Sequence, residues 1–146
     1  MAKLKHIFIP GNVPSSKNSK QWTGRLLINS KATRNYIKAT MEFYMKYRVD
    51  FQKMLKGKEK PYKLSLKFIR GTKHKFDYIN PAQTVQDLMV KYNWIKDDNC
   101  EEIIPVFETY EYNKEKPGVI IKILKNDKRR ALSGMDGQRN GKRRAQ

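Results

Sequence analysis

Between Tyr62 and Tyr110 the hydrophobic period of this chain changes twice, and that limits the fold more than any other feature. Tyr62-Lys-Leu-Ser-Leu-Lys-Phe-Ile69 alternates apolar and polar residues, which predicts a half-buried strand with Lys63 and Lys67 on one face. The period then becomes helical. Asn80 reads as an N-cap and Pro81 as the first helical residue, with Val85, Leu88, Met89 and Tyr92 at i, i+3, i+4 and i+7 and an end near Asn93. Glu102–Tyr110 and Val119–Leu124 return to strand character, joined through Asn-Lys-Glu-Lys-Pro-Gly, a connection suited to a hairpin or a wider loop. Such switching predicts an α/β or α+β domain with a small mixed sheet, two main helices and one covered sheet face.

The upstream half adds one strand and one helix. Leu4–Ile9 alternates and reads as a first strand, followed by a polar loop from Pro10 to Lys20. Ser30 is the expected N-cap of a long helix over 31–55. There Tyr36, Phe43, Tyr47, Phe51 and Met54, joined by Ile37, Met41 and Tyr44, form an apolar face whose role is packing. With 146 residues, 38% of them hydrophobic, the chain has material for one core. Residues 1–124 are read as that domain. Residues 125–146, rich in Lys, Arg and Gly, bury too little to offset their ordering entropy and are read as a disordered basic tail.

Charge points to a partner. The net charge is +18, which favours a polyanion and above all nucleic acid. Residues 1–76 hold 19 Lys and Arg against Glu42, Asp50 and Glu59, a balance of +16. Residues 77–124 hold five Lys against nine acids, a balance of −4, so the acids are concentrated. A single cysteine, Cys100, excludes an internal disulfide framework or multi-Cys zinc site, and His6 and His74 do not supply the missing ligands. There is no apolar run of the roughly 18 residues a membrane span needs and no signal-peptide core, so a cytoplasmic protein without a membrane partner is expected.

The acids that carry chemistry are Asp77, between a strand and a helix start, and Asp97-Asp98, just after that helix. If the helix doubles back along the strand, both positions meet at one end of the sheet. Clustered carboxylates suit Mg²⁺, and phosphodiester hydrolysis needs such an ion to activate water and to neutralise the leaving oxygen. Acids paired in a turn are more often a solvated cap, but here Arg70, Lys73 and Lys75 flank them, as a site that attracts phosphate and cuts it requires. Asp87 falls opposite the apolar stripe, and of Glu101 and Glu102 at most one faces the site.

The run Asp77-x-x-Asn80, Asp87-Leu88, aromatic-Ile and Asp97-Asp98 resembles the signature of RusA-like Holliday junction resolvases, the crossover junction endodeoxyribonucleases of phages and prophages. The Gly11-x-x-Pro14-Ser-Ser-Lys17-Asn18-Ser19 loop is similar to that family's basic N-terminal loop, so the likeness spans roughly residues 4–124. It implies a homodimeric α/β domain that binds four-way DNA junctions and nicks two strands symmetrically with Mg²⁺ or Mn²⁺ held by aspartates. Asp77 and Asp98 then match the catalytic aspartates, with Asp97 beside them as a third metal ligand and Asn80 and Asp87 in support. Lys17, Lys20, Arg70, Lys73 and Lys75 are the expected DNA-binding residues.

Two positions depart from the family pattern. Ile79 stands where a second aspartate is usual and Gln83 where a lysine is usual. Ile cannot ligate a metal, and a neutral amide stabilises phosphoryl charge less than an ammonium. Either Asp97, Asp87 or Glu101 replaces the ligand and Lys73 or Lys75 the cation, or the protein binds junctions and cuts them poorly or not at all. A basic RNA- or ribosome-associated protein is a third reading, which explains the charge but not the acidic knot; no stacking aromatics on an exposed strand face are evident for it.

Overall fold

Strand β4 (Tyr62–Arg70) is the strand to which the rest of the main sheet is attached. The structure, a computed structural model, describes residues 4–15, 20–22 and 27–126, with 20–22 and 27–28 as backbone alone. Lys17 and residues 127–146, most of the basic tail, lie outside the described residues, as does the side chain of Lys20. On one side of β4 lies antiparallel β7 (Gly118–Ile123), itself paired with β1 (Ile7–Pro10). On the other side lie two parallel strands, β5 (Ile103–Phe107) and, further along, β6 (Glu111–Tyr112). The chain therefore passes from one edge of β4 to the other between β6 and β7, the wider loop rather than the hairpin. Pro105 sits on edge strand β5, where its missing N–H costs no ladder bond.

Register explains which face is covered. Leu64, Leu66 and Phe68 pair with Ile123, Ile121 and Val119, and Ile121 and Val119 pair in turn with Ile7 and Ile9. Because side chains alternate, these residues share one face. All except the partly buried Ile123 are buried. The opposite face carries polar contacts: Lys67 pairs with Glu111 at 2.7 Å, and Glu108 accepts from Ser65 Oγ at 2.7 Å and meets Lys122 at 3.3 Å. The Ser65 hydroxyl first, then Lys122, hold the Glu108 carboxyl below its ordinary range.

Helices cover the apolar face. Ser30 caps α1 (Lys31–Lys46) by accepting from the Thr33 amide at 3.2 Å, as expected. The single helix expected over 31–55 is two, α1 and α2 (Arg48–Leu55), with a break at Tyr47. Tyr47 still donates to Phe43 O and accepts from Phe51, so the break is a kink in a continuous hydrogen-bonded path. Beyond it, Arg48 and Gln52 reach the carbonyls of Asn93 and Trp94 at 3.2 and 2.8 Å. Tyr36, Tyr44, Phe51 and Met54 are core and Phe43, Tyr47 and Ile37 pack against it, but Met41 is 45% exposed. An antiparallel pair, β2 (Lys20–Trp22) with β3 (Leu27–Asn29), lies between the expected polar loop and α1, where no element was expected.

Helix α3 (Ile79–Lys91) starts before its expected cap, with Tyr78 in the capping position. Pro81 is tolerated inside the first turn because the N–H groups there have no intrahelical acceptor. The helix ends in a Schellman motif. Trp94 N–H donates to Met89 O at 2.8 Å, Asn93 N–H to Val90 O at 3.1 Å, and Asn93 takes φ 64°, the left-handed conformation that asparagine tolerates best after glycine.

Candidate active site

The segment between β4 and α3 is held by an aromatic cluster. Phe76 meets Tyr78 and Tyr110 with ring centroids 5.2 Å away in each case, and Phe68 at 6.5 Å. With Phe76 turned inward, its neighbours Lys75 and Asp77 are exposed. A cleft of about 560 Å³ results, lined by Lys75, Asp77, Asn80, Ser15 and the aromatics Tyr78 and Tyr110.

Arg70 lies beneath this cleft rather than on its wall. It is 4% exposed, donates to Val13 O at 2.7 Å and Ser15 Oγ at 3.0 Å, and stacks 4.7 Å from the centre of the Phe76 ring. Its charge was expected on the phosphate-binding surface, but it ties the loop after β1 to the sheet. Burial lowers its pKa from the ordinary value, and its Nε has no hydrogen-bond partner. Lys73 is exposed, with its ammonium 5.0 Å over the Tyr112 ring.

Asp98 reaches the site through the chain reversal after α3. Trp94 is 1% exposed and donates its indole N–H to Tyr44 O at 2.6 Å, which pins the returning chain against α1. Buried Ile95 follows, and the chain then runs back beside the first half of α3. There Gln83 Nε2 donates to Asp87 Oδ1 at 2.7 Å and to Asp98 Oδ2 at 3.3 Å. Asn80, Gln83 and Asp87 follow one another at helical spacing along α3. One helix face thus links the Asp77 cleft to the Asp87–Asp98 pair.

Asp97 is not directed at that pair. Its Oδ1 accepts from the Asp98 amide at 2.7 Å and its Oδ2 from Asn99 Nδ2 at 3.1 Å, so it shapes its own turn. Glu102 pairs with Lys60 at 2.9 Å. Among the described residues no group of three or more Asp, Glu, His or Cys side chains gathers as a metal cluster. The expected set Asp77, Asp97 and Asp98 does not form such a group, and Asp87 is the acid that shares the Gln83 donor with Asp98. Ile79 is 69% exposed at the start of α3.

Two features were missed in the sequence. Lys91 lines a second cleft of about 370 Å³ with Gln83, Asp87 and Asn29; its i+4 spacing from Asp87 was the available signal. Tyr110, which lines the first cleft, and Tyr112 are 47% and 44% exposed, although Tyr110 reads as the end of a strand and Tyr112 falls between the strands expected there. No helix among the described residues is long and apolar enough to cross a membrane. No protein-family model matches the chain, and no curated protein matches it.

Proposed function

We propose that the chain is a Mg²⁺- or Mn²⁺-dependent crossover junction endodeoxyribonuclease of RusA-like kind. In this reading it acts in the cytoplasm as a homodimer and resolves four-way DNA junctions in recombination and repair by symmetric phosphodiester hydrolysis. The observation that carries the reading is Gln83, which occupies the position of the family's lysine and donates to both Asp87 and Asp98. Asp98, 15 positions from Gln83, and Asp87, one helical turn from it, meet at one side-chain nitrogen.

The donors fit the ion that the resemblance implies. Mg²⁺ takes one or two carboxylates and completes its shell with water and phosphate oxygens, and Asp87 and Asp98 are the pair that would hold it. Bound there, it supplies charge neutralisation at the phosphate and a more acidic water. Gln83 orients both carboxylates, Lys75 draws the DNA backbone to the cleft, Asn80 donates to phosphate and Asp77 accepts from water within it.

A second reading, a junction-binding protein on the same fold with weak or no cleavage, is favoured by the uncharged Gln83 and by an exposed Ile79 that offers no ligand. Purified protein incubated with a synthetic four-way junction and with linear duplex, with and without Mg²⁺ or Mn²⁺, separates the two. Paired, metal-dependent nicks on a denaturing gel support the nuclease. A junction-specific shift on a native gel without nicks supports the binding protein, and no junction preference in either assay defeats both.

A further inference from the structure

We propose that Tyr110 and Tyr112 form a stacking platform for unpaired DNA bases beside the Asp77 cleft, with Lys73 and Lys75 on the accompanying phosphates. The inference rests on the reading of the chain as a DNA-junction protein and names the part of the junction that this surface takes.

Three observations carry it. First, both residues carry large aromatic rings and are nearly half exposed, at 47% and 44%, where sheet edges are ordinarily guarded by charged side chains or proline. Second, the rings share a face. Glu111 between them turns to the opposite side of the sheet through its 2.7 Å ion pair with Lys67, so its two neighbours project toward Phe76 and Lys73. Third, the Tyr110 part of the platform is preorganised. Tyr110 meets Phe76 at 86° and Tyr78 at 67°, and its backbone N–H donates to the Tyr78 hydroxyl at 3.1 Å. Tyr78 is itself stacked on Phe107 at 5.3 Å.

The chemistry selects the ligand. Aromatic faces bind any base through its π-face, without regard to sequence, provided that the base is not already stacked within a duplex. Exposed ammonium groups alongside select a phosphate chain over an apolar peptide. Lys75 lines the same cleft as Tyr110, and Lys73 stands over Tyr112. A strand passing from the cleft onto these rings must have unpaired bases, as at the branch point of an opened junction.

The test uses the full-length protein with three labelled DNAs: an oligo-dT strand, a linear duplex, and a four-way junction with 2-aminopurine at the branch point. Tyr110→Ala and Tyr112→Ala are each expected to weaken oligo-dT binding roughly tenfold, leave duplex affinity unchanged and abolish the parental quenching of 2-aminopurine. Tyr110→Phe and Tyr112→Phe, which retain the ring, are expected to keep parental values. Oligo-dT affinity unchanged in both Ala variants, or equal losses on duplex and oligo-dT, would overturn the platform. A parent that binds duplex and junction but shows no tyrosine dependence defeats this inference alone, whereas a parent that binds no DNA defeats the nuclease reading with it. Tighter, tyrosine-dependent binding of oligo-rU than of oligo-dT would overturn the assignment to DNA.

Discussion

Gln83 donates from its side-chain amide to Asp98 Oδ2 at 3.3 Å, although the two residues lie 15 positions apart. The contact depends on a chain reversal made by Asn93 in the left-handed conformation and on the buried Trp94 that anchors the returning segment. An acid that looks like part of a surface turn is thereby brought against the first half of the helix that follows Asp77.

On the proposed nuclease reading, replacing Asp98 with Asn is expected to reduce metal-dependent junction cleavage by on the order of 100-fold or more while leaving junction affinity largely intact, because losing negative charge does not weaken phosphate attraction. Asp87→Asn is expected to act in the same direction and Asp97→Asn much less, since Asp97 hydrogen-bonds within its own turn. Initial nicking rates against metal concentration check the order, and an Asp98→Asn protein cutting at the parental rate would move the site elsewhere.

Gln83→Lys places an ammonium beside Asp87 and Asp98 and introduces the lysine that the resemblance to RusA-like resolvases would put at this position. Cleavage at saturating metal is expected to rise roughly tenfold, because an ammonium stabilises phosphoryl charge better than an amide. Single-turnover rates are the measurement. A rise in thermal stability with no gain in rate would assign the position to charge balance alone.

Ile79→Asp removes a side chain that is 69% exposed, so no core packing is lost. A carboxylate at the first residue of α3 also gains about 0.3–1 kcal/mol from the helix dipole. The metal concentration for half-maximal cleavage is expected to fall. Identical metal titrations for parent and variant would show that the added carboxylate does not reach the ion.

Trp94→Phe is expected to cost about 1–3 kcal/mol, since the Tyr44 carbonyl loses the indole donor at 2.6 Å within a buried site. Urea denaturation gives the cost. The same variant is expected to need more metal for cleavage, because the segment that carries Asp98 is held less firmly; unchanged metal dependence would uncouple the anchor from the site.

Tyr36 and Tyr44 share a buried hydroxyl contact of 3.1 Å. Burial pushes the Tyr36 pKa up to about 12 from 10.0 and raises that of Tyr44 further, with Tyr36 adding to the latter shift. The unfolded chain ionises these groups first as pH rises, so the stability tied to their protonated state is complete below pH 10 and declines between 10 and about 12. Circular dichroism with tyrosinate absorbance should show unfolding and late ionisation together. Tyr36→Phe alone is expected to cost about 1–3 kcal/mol by leaving Tyr44 unpaired, and Tyr36→Phe with Tyr44→Phe substantially less.

What was legible in the sequence is what short-range geometry dictates. The two-residue period of Tyr62–Ile69 is the pleat of β4, the stripe from Val85 to Tyr92 is the buried side of α3, and Ser30 caps α1 through its own side chain. These need only dihedral preferences and neighbours a few residues away. The kink at Tyr47, the passage to the opposite edge of β4 and the early start of α3 depend on packing partners distant in the chain. The site divides the same way. Asp77 stands just before α3 and Asn80 in its first turn, close to the strand-to-helix boundary that local periodicity marks, but only tertiary packing buries Arg70, turns Asp97 into its own loop and brings Asp98 to the Gln83 that also holds Asp87. A carboxylate or guanidinium has the same chemistry wherever it stands; which charge it meets is decided by chain reversals and burial that a local pattern does not encode.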